Sequence, residues 1–365
     1  MKVGIADLPL HEGRAPKWLF RRMVELGGSI AEVIVYEYGR EALLERLSDP
    51  FWLQCFGNVM GWDWDSSGMG TVVTGALKES LMSRDLGIGI AGGKGKVSRR
   101  SPEEIRHLGD AYDLSDDRTE ALVRASKLSA KVDNAALQDQ HQLYHHSFIL
   151  SEDGSWVVIQ QGMNPQRGYA RRYHWYWKEV RRFDEEPHRA ILGKKFGRAL
   201  DMTAAESEGS RKASVDLARE DPKRITRFLR SLREPGQRSL REWTGEEDPF
   251  RYFSIPKNLN WNALRKTYDF QPANYEELLG IQGVGPATVR ALAYISEVVY
   301  GEMPSWRDPV KFSFGLGGKD GIPYPVDREA MDETTEVLAK GIEEARVGKK
   351  DRLRALRTLR RLVPQ

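Results

Sequence analysis

With 365 residues, 40% hydrophobic and 30% charged, the chain has an ordinary globular composition and room for two or three domains. Its 56 Lys+Arg stand against 53 Asp+Glu, a net charge of only +3, which barely argues for a nucleic-acid partner and leaves any basic surface to local clustering. A single cysteine, Cys55, excludes a disulfide framework and a cysteine-rich zinc site; with no bilayer-length or signal-like apolar run, this predicts a cytoplasmic protein with no membrane partner.

In chain order, residues 1–190 read as an α/β domain. "LPLHEGRAPKW" carries His11, "APKWLFRRMVELGGSIAEV" has helical apolar spacing, and "AEVIVYEYG" reads as a strand from its β-branched content. "MGWDWDSSGMG" places Asp63 and Asp65 two apart, so an extended backbone puts both carboxylates on one side. A divalent ion such as Mg or Mn is the cofactor such a pair admits. "GTVVTGALKESLMSRD" predicts a helix and "LGIGIAGGKGK" a strand ending in Lys94 and Lys96, cations among glycines that suit a phosphate but lack nucleotide-triphosphate loop spacing. Ser101 and Glu104 form a capping-box pattern at the start of a polar helical stretch running to the histidine pair His145 and His146.

"HHSFILSEDGSWVVIQQGMN" then predicts two strands joined by a tight turn at Asp153-Gly154. Alternation lets only one of His145 and His146 face a given side, and the second strand ends in the amides Gln160, Gln161 and Asn164. Farther on, "GYARRYHWYWKEVRR" interleaves Arg171, Arg172 and Lys178 with aromatic rings, a composition that suits phosphates and unpaired bases. It also holds His174.

Residues 191–365 read as an all-helical domain, with a polar boundary around "DMTAAESEGSRKASVD". Within 275–300, "ELLGIQGVGPATVRALAYI" predicts two helices around Gly283-Val284-Gly285. The glycines would let backbone amides approach a phosphate, Val284 would anchor the turn, and Thr288 and Arg290 would add donors. From Lys340 to Gln365, nine basic residues stand against three acidic ones. Arg354, Arg357 and Arg361 lie on an amphipathic helix expected to extend the phosphate-binding surface.

These phrases resemble several families. The Gly-Val-Gly segment resembles the helix-hairpin-helix, which implies DNA bound through its backbone with little base reading. Coupled to Asp327 in "PYPVDREAMDET", it is similar to the helix-hairpin-helix DNA glycosylases, with Asp327 as the catalytic acid. The "HHSFIL…VVIQQGMN" layout resembles the phospholipase-D-like nucleases. That resemblance implies His146 or His145 as nucleophile and Gln161, Gly162 and Asn164 as phosphate ligands, with His11 or His174 as proton-transfer partner or a homodimer supplying it. The phrases together, over nearly the whole chain, resemble the prokaryotic and archaeal domain-of-unknown-function family 763. The expected function is DNA binding coupled to phosphodiester cleavage in repair or processing. A glycosylase-like enzyme and a non-catalytic DNA-binding protein are the alternatives.

Overall fold

The computed structural model describes residues 8–10, 15–62, 67–231, 256, 259–310, 328–344 and 348–362. Its middle layer is an antiparallel five-stranded sheet of β1 (Ile88–Lys94), β3 (Gln142–Ser151), β4 (Trp156–Asn164), β5 (Tyr169–Tyr176) and β6 (Ala190–Leu192), in the order β1-β3-β4-β5-β6. The β3–β4 hairpin turns as expected at Asp153-Gly154, where Asp153 Oδ1 accepts the Ser155 amide at 2.8 Å.

Strand alternation gives the sheet two apolar faces, and each is covered. Ile88, Ile90, Ile149, Val157 and Ile159 pack with α1 (Lys17–Tyr38), α2 (Arg40–Ser48), α3 (Pro50–Val59) and α4 (Gly68–Leu81). Phe148, Leu150, Trp156, Val158 and Trp175 pack on the opposite face with α5 (Ser101–Ala111) and α6 (Asp116–Lys131). The same core takes in α7 (Glu208–Ala218), α8 (Pro222–Ser231), α9 (Trp261–Phe270), α10 (Tyr275–Gly280) and α11 (Pro286–Tyr300). A three-stranded antiparallel sheet, β2 (Leu137–Gln138), β7 (Arg198–Asp201) and β8 (Ser305–Arg307), adjoins this side.

Several expectations change. "AEVIVYEYG" is the end of α1, because Met23, Ile30 and Ile34 already form one buried helical stripe and the β-branched residues continue it. The Ser101/Glu104 capping box is not made. Ser101 Oγ donates to Ser98 O, while Glu104 Oε2 accepts the Gly92 amide at 2.7 Å and Lys78 Nζ at 2.6 Å, tying α5 to β1 and α4. The second half is not all helical, since β6 completes the first sheet and β7 and β8 belong to the second. The last two helices, α12 (Arg328–Glu344) and α13 (Lys349–Leu362), return to α1 and α3, where Val337, Leu338, Ala355 and Leu359 join the N-terminal core. Among the described residues no helix is long and apolar enough to cross a membrane.

Candidate functional site

The α10–α11 hairpin is held rigidly. Asn274 caps α10 by accepting the Glu277 amide at 2.9 Å. Gly283 takes φ +95°, which favours glycine, and Val284 is buried with Leu278, Leu279, Leu292 and Ile295. Lys131 Nζ at the end of α6 donates to Val284 O at 2.5 Å, and Gln138 Nε2 donates to Pro286 O at 2.9 Å. Arg290 is not a free donor: its Nη1 reaches Gln138 Oε1 at 3.1 Å, so it ties α11 to β2. Thr288 is buried, which removes its hydroxyl from the surface.

Gly283 lines a groove of about 1430 Å³ whose other walls carry Arg99, Arg124, Lys127, Lys131 and Lys266 together with the acidic Glu120, Asp269, Glu276 and Glu277. Of these Arg124 is neutralised by Glu276 at 2.9 Å. The 3-10 turn Gly95–Arg100 is different: Lys94, Lys96, Arg99 and Arg100 are exposed, as is Lys127 on α6. Lys94, Lys96, Arg99 and Arg100 have no carboxylate partner among the described residues, while Lys127 acts electrostatically on Glu120. Ser98, Arg99, Lys127, Ala130 and Leu143 continue from this groove into a second cavity of about 350 Å³, which reaches Ser126, Tyr144, His145 and His146 at the start of β3.

The two histidines occupy opposite faces, as alternation requires. His146 faces α6, with Nε2 2.9 Å from Ser126 Oγ and Nδ1 2.9 Å from Gln160 Oε1. Since an amide oxygen only accepts, His146 carries its proton on Nδ1 and leaves Nε2 to accept from the Ser126 hydroxyl. Gln160 Nε2 donates onward to Asp133 Oδ2 at 2.5 Å, which also accepts Trp175 Nε1 at 3.0 Å; His188 Nε2 lies 2.5 Å from Asp133 Oδ1. Asp133 is aimed inward by a π-helical turn, Val132–Ala136, that ends α6. Burial raises the Asp133 carboxyl above its ordinary value against the pull of His188, and burial lowers His146 to about 4.

The other face carries a polar row. Lys94, His145, Gln161 and Arg172 are successive cross-strand neighbours on β1, β3, β4 and β5. His145 Nε2 lies between Thr74 Oγ1 of α4 at 3.1 Å and Ser147 Oγ at 3.0 Å, and burial lowers its pKa to about 3. Gln161 Nε2 donates to Ser67 O at 2.5 Å and to the Tyr144 hydroxyl. Arg172 is 0% exposed, and its Nε, Nη1 and Nη2 have no hydrogen-bond partner; Gln161 Oε1 and His145 Nδ1 have none either. Burial lowers Arg172 to about 10, with Tyr144 opposing.

The expected pairing of His146 with Asn164 is not formed. The register sets Gln160 opposite His146 and places Asn164 four residues on, roughly 13 Å along a strand. Asn164 Oδ1 instead accepts the Arg167 amide in the β4–β5 turn. The register joins His145 to Gln161 and Gln161 to Arg172, so β5 supplies a cation next to that pair. Neither arginine is a surface clamp. Arg171 is buried between Asp139 and Asp308, both at 2.9 Å, and Asp139 also accepts Tyr173 OH at 2.6 Å. Burial opposes this arrangement, but Arg171 holds the Asp139 carboxyl well below the usual carboxylate range. His141 stacks on Phe196 beside Asp139, and His174 is buried with Nδ1 3.0 Å from Ser48 O, away from both cavities. Lys178 is paired with Glu41 at 3.1 Å.

Arg354 and Arg357 are exposed on α13, across the sheet from the α10–α11 hairpin, so they do not extend its surface. His11, Asp63, Asp65 and Asp327 lie outside the described residues, as does the side chain of Arg361. Among the described residues no cluster of three His, Cys, Asp or Glu side chains could hold a metal ion. Cys55 is buried and its thiol is pushed up to about 12 by burial, which makes it a poor nucleophile. The sequence reading missed Ser126, Asp133, Tyr144 and Arg99. Tyr144 adjoins the histidine pair and Arg99 the glycine–lysine run, but Ser126 and Asp133 meet the site only through α6 packing.

Over residues 4–326 the chain matches the family described as protein of unknown function (DUF763). It belongs to that family. No curated protein and no solved structure matches it.

Proposed function

We propose that this DUF763 protein binds the DNA backbone along the groove between the α10–α11 hairpin, read as a helix-hairpin-helix, and the basic 95–100 turn. The observation that carries this reading is the set of exposed cations Lys94, Lys96, Arg99, Arg100 and Lys127, of which Arg99 and Lys127 line the groove with Gly283. A cation already paired to a carboxylate gains little from a phosphate; an unpaired one releases a counterion for each contact made. Because such contacts touch phosphate and not base edges, binding should be insensitive to sequence.

Phosphodiester cleavage, if the protein performs it, belongs in the 350 Å³ cavity that continues the groove. There the neutral His146 Nε2 accepts from Ser126, and Gln160 and Asp133 fix the tautomer. This arrangement suits a general base acting on a hydroxyl better than a free imidazole attacking phosphorus. Non-catalytic binding is the second reading. It is favoured by the burial of both histidines and by the distance of Asn164 from His146.

Affinity for labelled duplex and single-stranded oligonucleotides, measured across a salt series, tests the binding. Replacing Lys96, Arg99, Arg100 and Lys127 with glutamine should flatten the slope of log affinity against log salt by about one per lost contact. Arg354→Gln/Arg357→Gln should leave the slope unchanged. The reverse pattern would move the interface to α13. The same oligonucleotides, incubated with and without EDTA, report cleavage: a histidine-based site ignores the chelator, while a site built on Asp63 and Asp65 would stop.

A further inference from the structure

Arg172 is a buried guanidinium whose five N–H donors have no acceptor among the described residues, a costly arrangement because no carboxylate there compensates the desolvation of the charge. Ordinary packing does not account for it. Its neighbour on the sheet, Arg171, is just as buried but sits between two carboxylates. The contrast between adjacent arginines on opposite faces separates a structural cation from one whose counter-ion is supplied from elsewhere.

The groups around Arg172 indicate what that counter-ion is. α4 begins close by: a Cβ on Gly70 would stand 2.8 Å from Gln161 Oε1, 3.1 Å from Arg172 Cδ and 3.9 Å from Arg172 Nη1, so only a glycine lets α4 approach both side chains this closely. Gln161 spends its amide hydrogens on Ser67 O and Tyr144 OH, which leaves Oε1 as an unpaired acceptor and the Tyr144 hydrogen available to donate. Tyr144 lines the 350 Å³ cavity, and Lys94 Nζ lies 5.8 Å from the centre of its ring, so the row runs from the cavity wall to Arg172. A ligand that satisfies both Arg172 and Gln161 needs anionic oxygens and an O–H. A carboxylate has no O–H to give. A phosphate monoester in its monoanionic form, which prevails below its second pKa near 6, has both.

We infer that Arg172, Gln161 and Tyr144 form a binding site for a phosphate monoester, and that its source is the terminal phosphate of a nucleic-acid strand. An internal phosphodiester is excluded by burial, because a strand continuing in both directions cannot bring its phosphate to a side chain with no exposed surface; a strand end can be inserted. The source rests on the DNA-binding reading above. The anion site itself does not.

Thermal unfolding of the full chain at constant ionic strength, in inorganic phosphate against chloride, tests the site. Phosphate should raise the melting temperature in proportion to the logarithm of its concentration. Arg172→Met, folded by circular dichroism, should lose that response. Gln161→Glu supplies a carboxylate opposite Arg172 in place of the amide that donates to Ser67 O, so it should abolish the phosphate response. A phosphate response unchanged in Arg172→Met would overturn the site. So would a Gln161→Glu protein that still responds to phosphate, and this second variant decides the matter if Arg172→Met does not fold. The source is tested by comparing 5′- and 3′-phosphorylated oligonucleotides with the unphosphorylated one. Tighter binding of a phosphorylated end, lost in both variants, supports it. Protection by inorganic phosphate with no preference for a phosphorylated end would overturn the strand-end assignment while leaving the anion site standing.

Discussion

Acid should weaken this fold well above the range in which carboxylates titrate, because histidines are buried in neutral form on both faces of the sheet. Burial takes His145 to about 3 and His146 to about 4, whereas an unfolded histidine titrates near 6.5. A folded value below the unfolded one means that the stability is fully present above about pH 6.5 and is lost as pH falls toward the folded value. At pH 5 each site forfeits about 2 kcal/mol relative to pH 8, so the two together cost about 4 kcal/mol, a large part of the 5–15 kcal/mol typical of a domain. His174, also shifted well down by burial, acts in the same direction. Asp133 opposes them: with its folded value raised, it gives stability that is lost as pH rises and regained in acid. A comparison of variants removes this offset. Urea unfolding of wild type and His145→Gln from pH 8 to 5 should give curves that converge in acid, the variant losing about 2 kcal/mol less over that span. Parallel curves would show that His145 is not buried in neutral form, and the placement of the polar row would be wrong.

The remaining predictions concern the hairpin and the buried ion network. Gly285→Val should weaken DNA binding by about 1–3 kcal/mol at unchanged melting temperature, since a Cβ there meets nothing within 4 Å in the protein but would stand in the way of a phosphate. An unaltered affinity would make the hairpin a packing element. Gly283 is the poorer probe, because its φ of +95° and the nearby Asn260 and Ala263 make any side chain there a stability mutation. Asp308→Asn should destabilise by about 3–5 kcal/mol in denaturant unfolding, because it leaves Arg171 with Asp139 alone and weakens the Phe196 amide contact that links the two sheets.

Elements whose signals are local could be read from the sequence. β1, the Asp153-Gly154 turn and the two helices around Gly283-Val284-Gly285 depend on spacing within a few residues, and all three are present in the fold. What depends on a distant partner could not be read. Ser101 and Glu104 carry a capping pattern, but Glu104 finds better partners in the Gly92 amide and Lys78. Arg171 and Arg172 look interchangeable in "GYARRYHW", yet the pleat sends one toward Asp139 and Asp308 and the other to a place where it meets no carboxylate among the described residues. The basic α13 reads as a companion to the hairpin only if sequence proximity implies spatial proximity. Val337, Leu338, Ala355 and Leu359 instead carry the last two helices back to the N-terminal layer.

The same pleat explains how one end of the sheet can serve two kinds of chemistry. His145 and His146 point to opposite faces, so neither can share a phosphate with the other in mid-strand. The register shift between Leu143 and His145 falls at the start of β3, where the 350 Å³ cavity opens against Tyr144 and both histidines. A β-bulge adds a residue to one strand and re-aims its side chains, and here it brings Tyr144 beside Gln161 on the Arg172 face while His146 keeps its contact with Ser126. A strand end held at Arg172 on β5 would lie two strands away from His146 and on the opposite face of the sheet. That separation makes the two proposals independent: His146→Ala should leave the phosphate response intact, and a response lost in His146→Ala would show that the two faces are coupled.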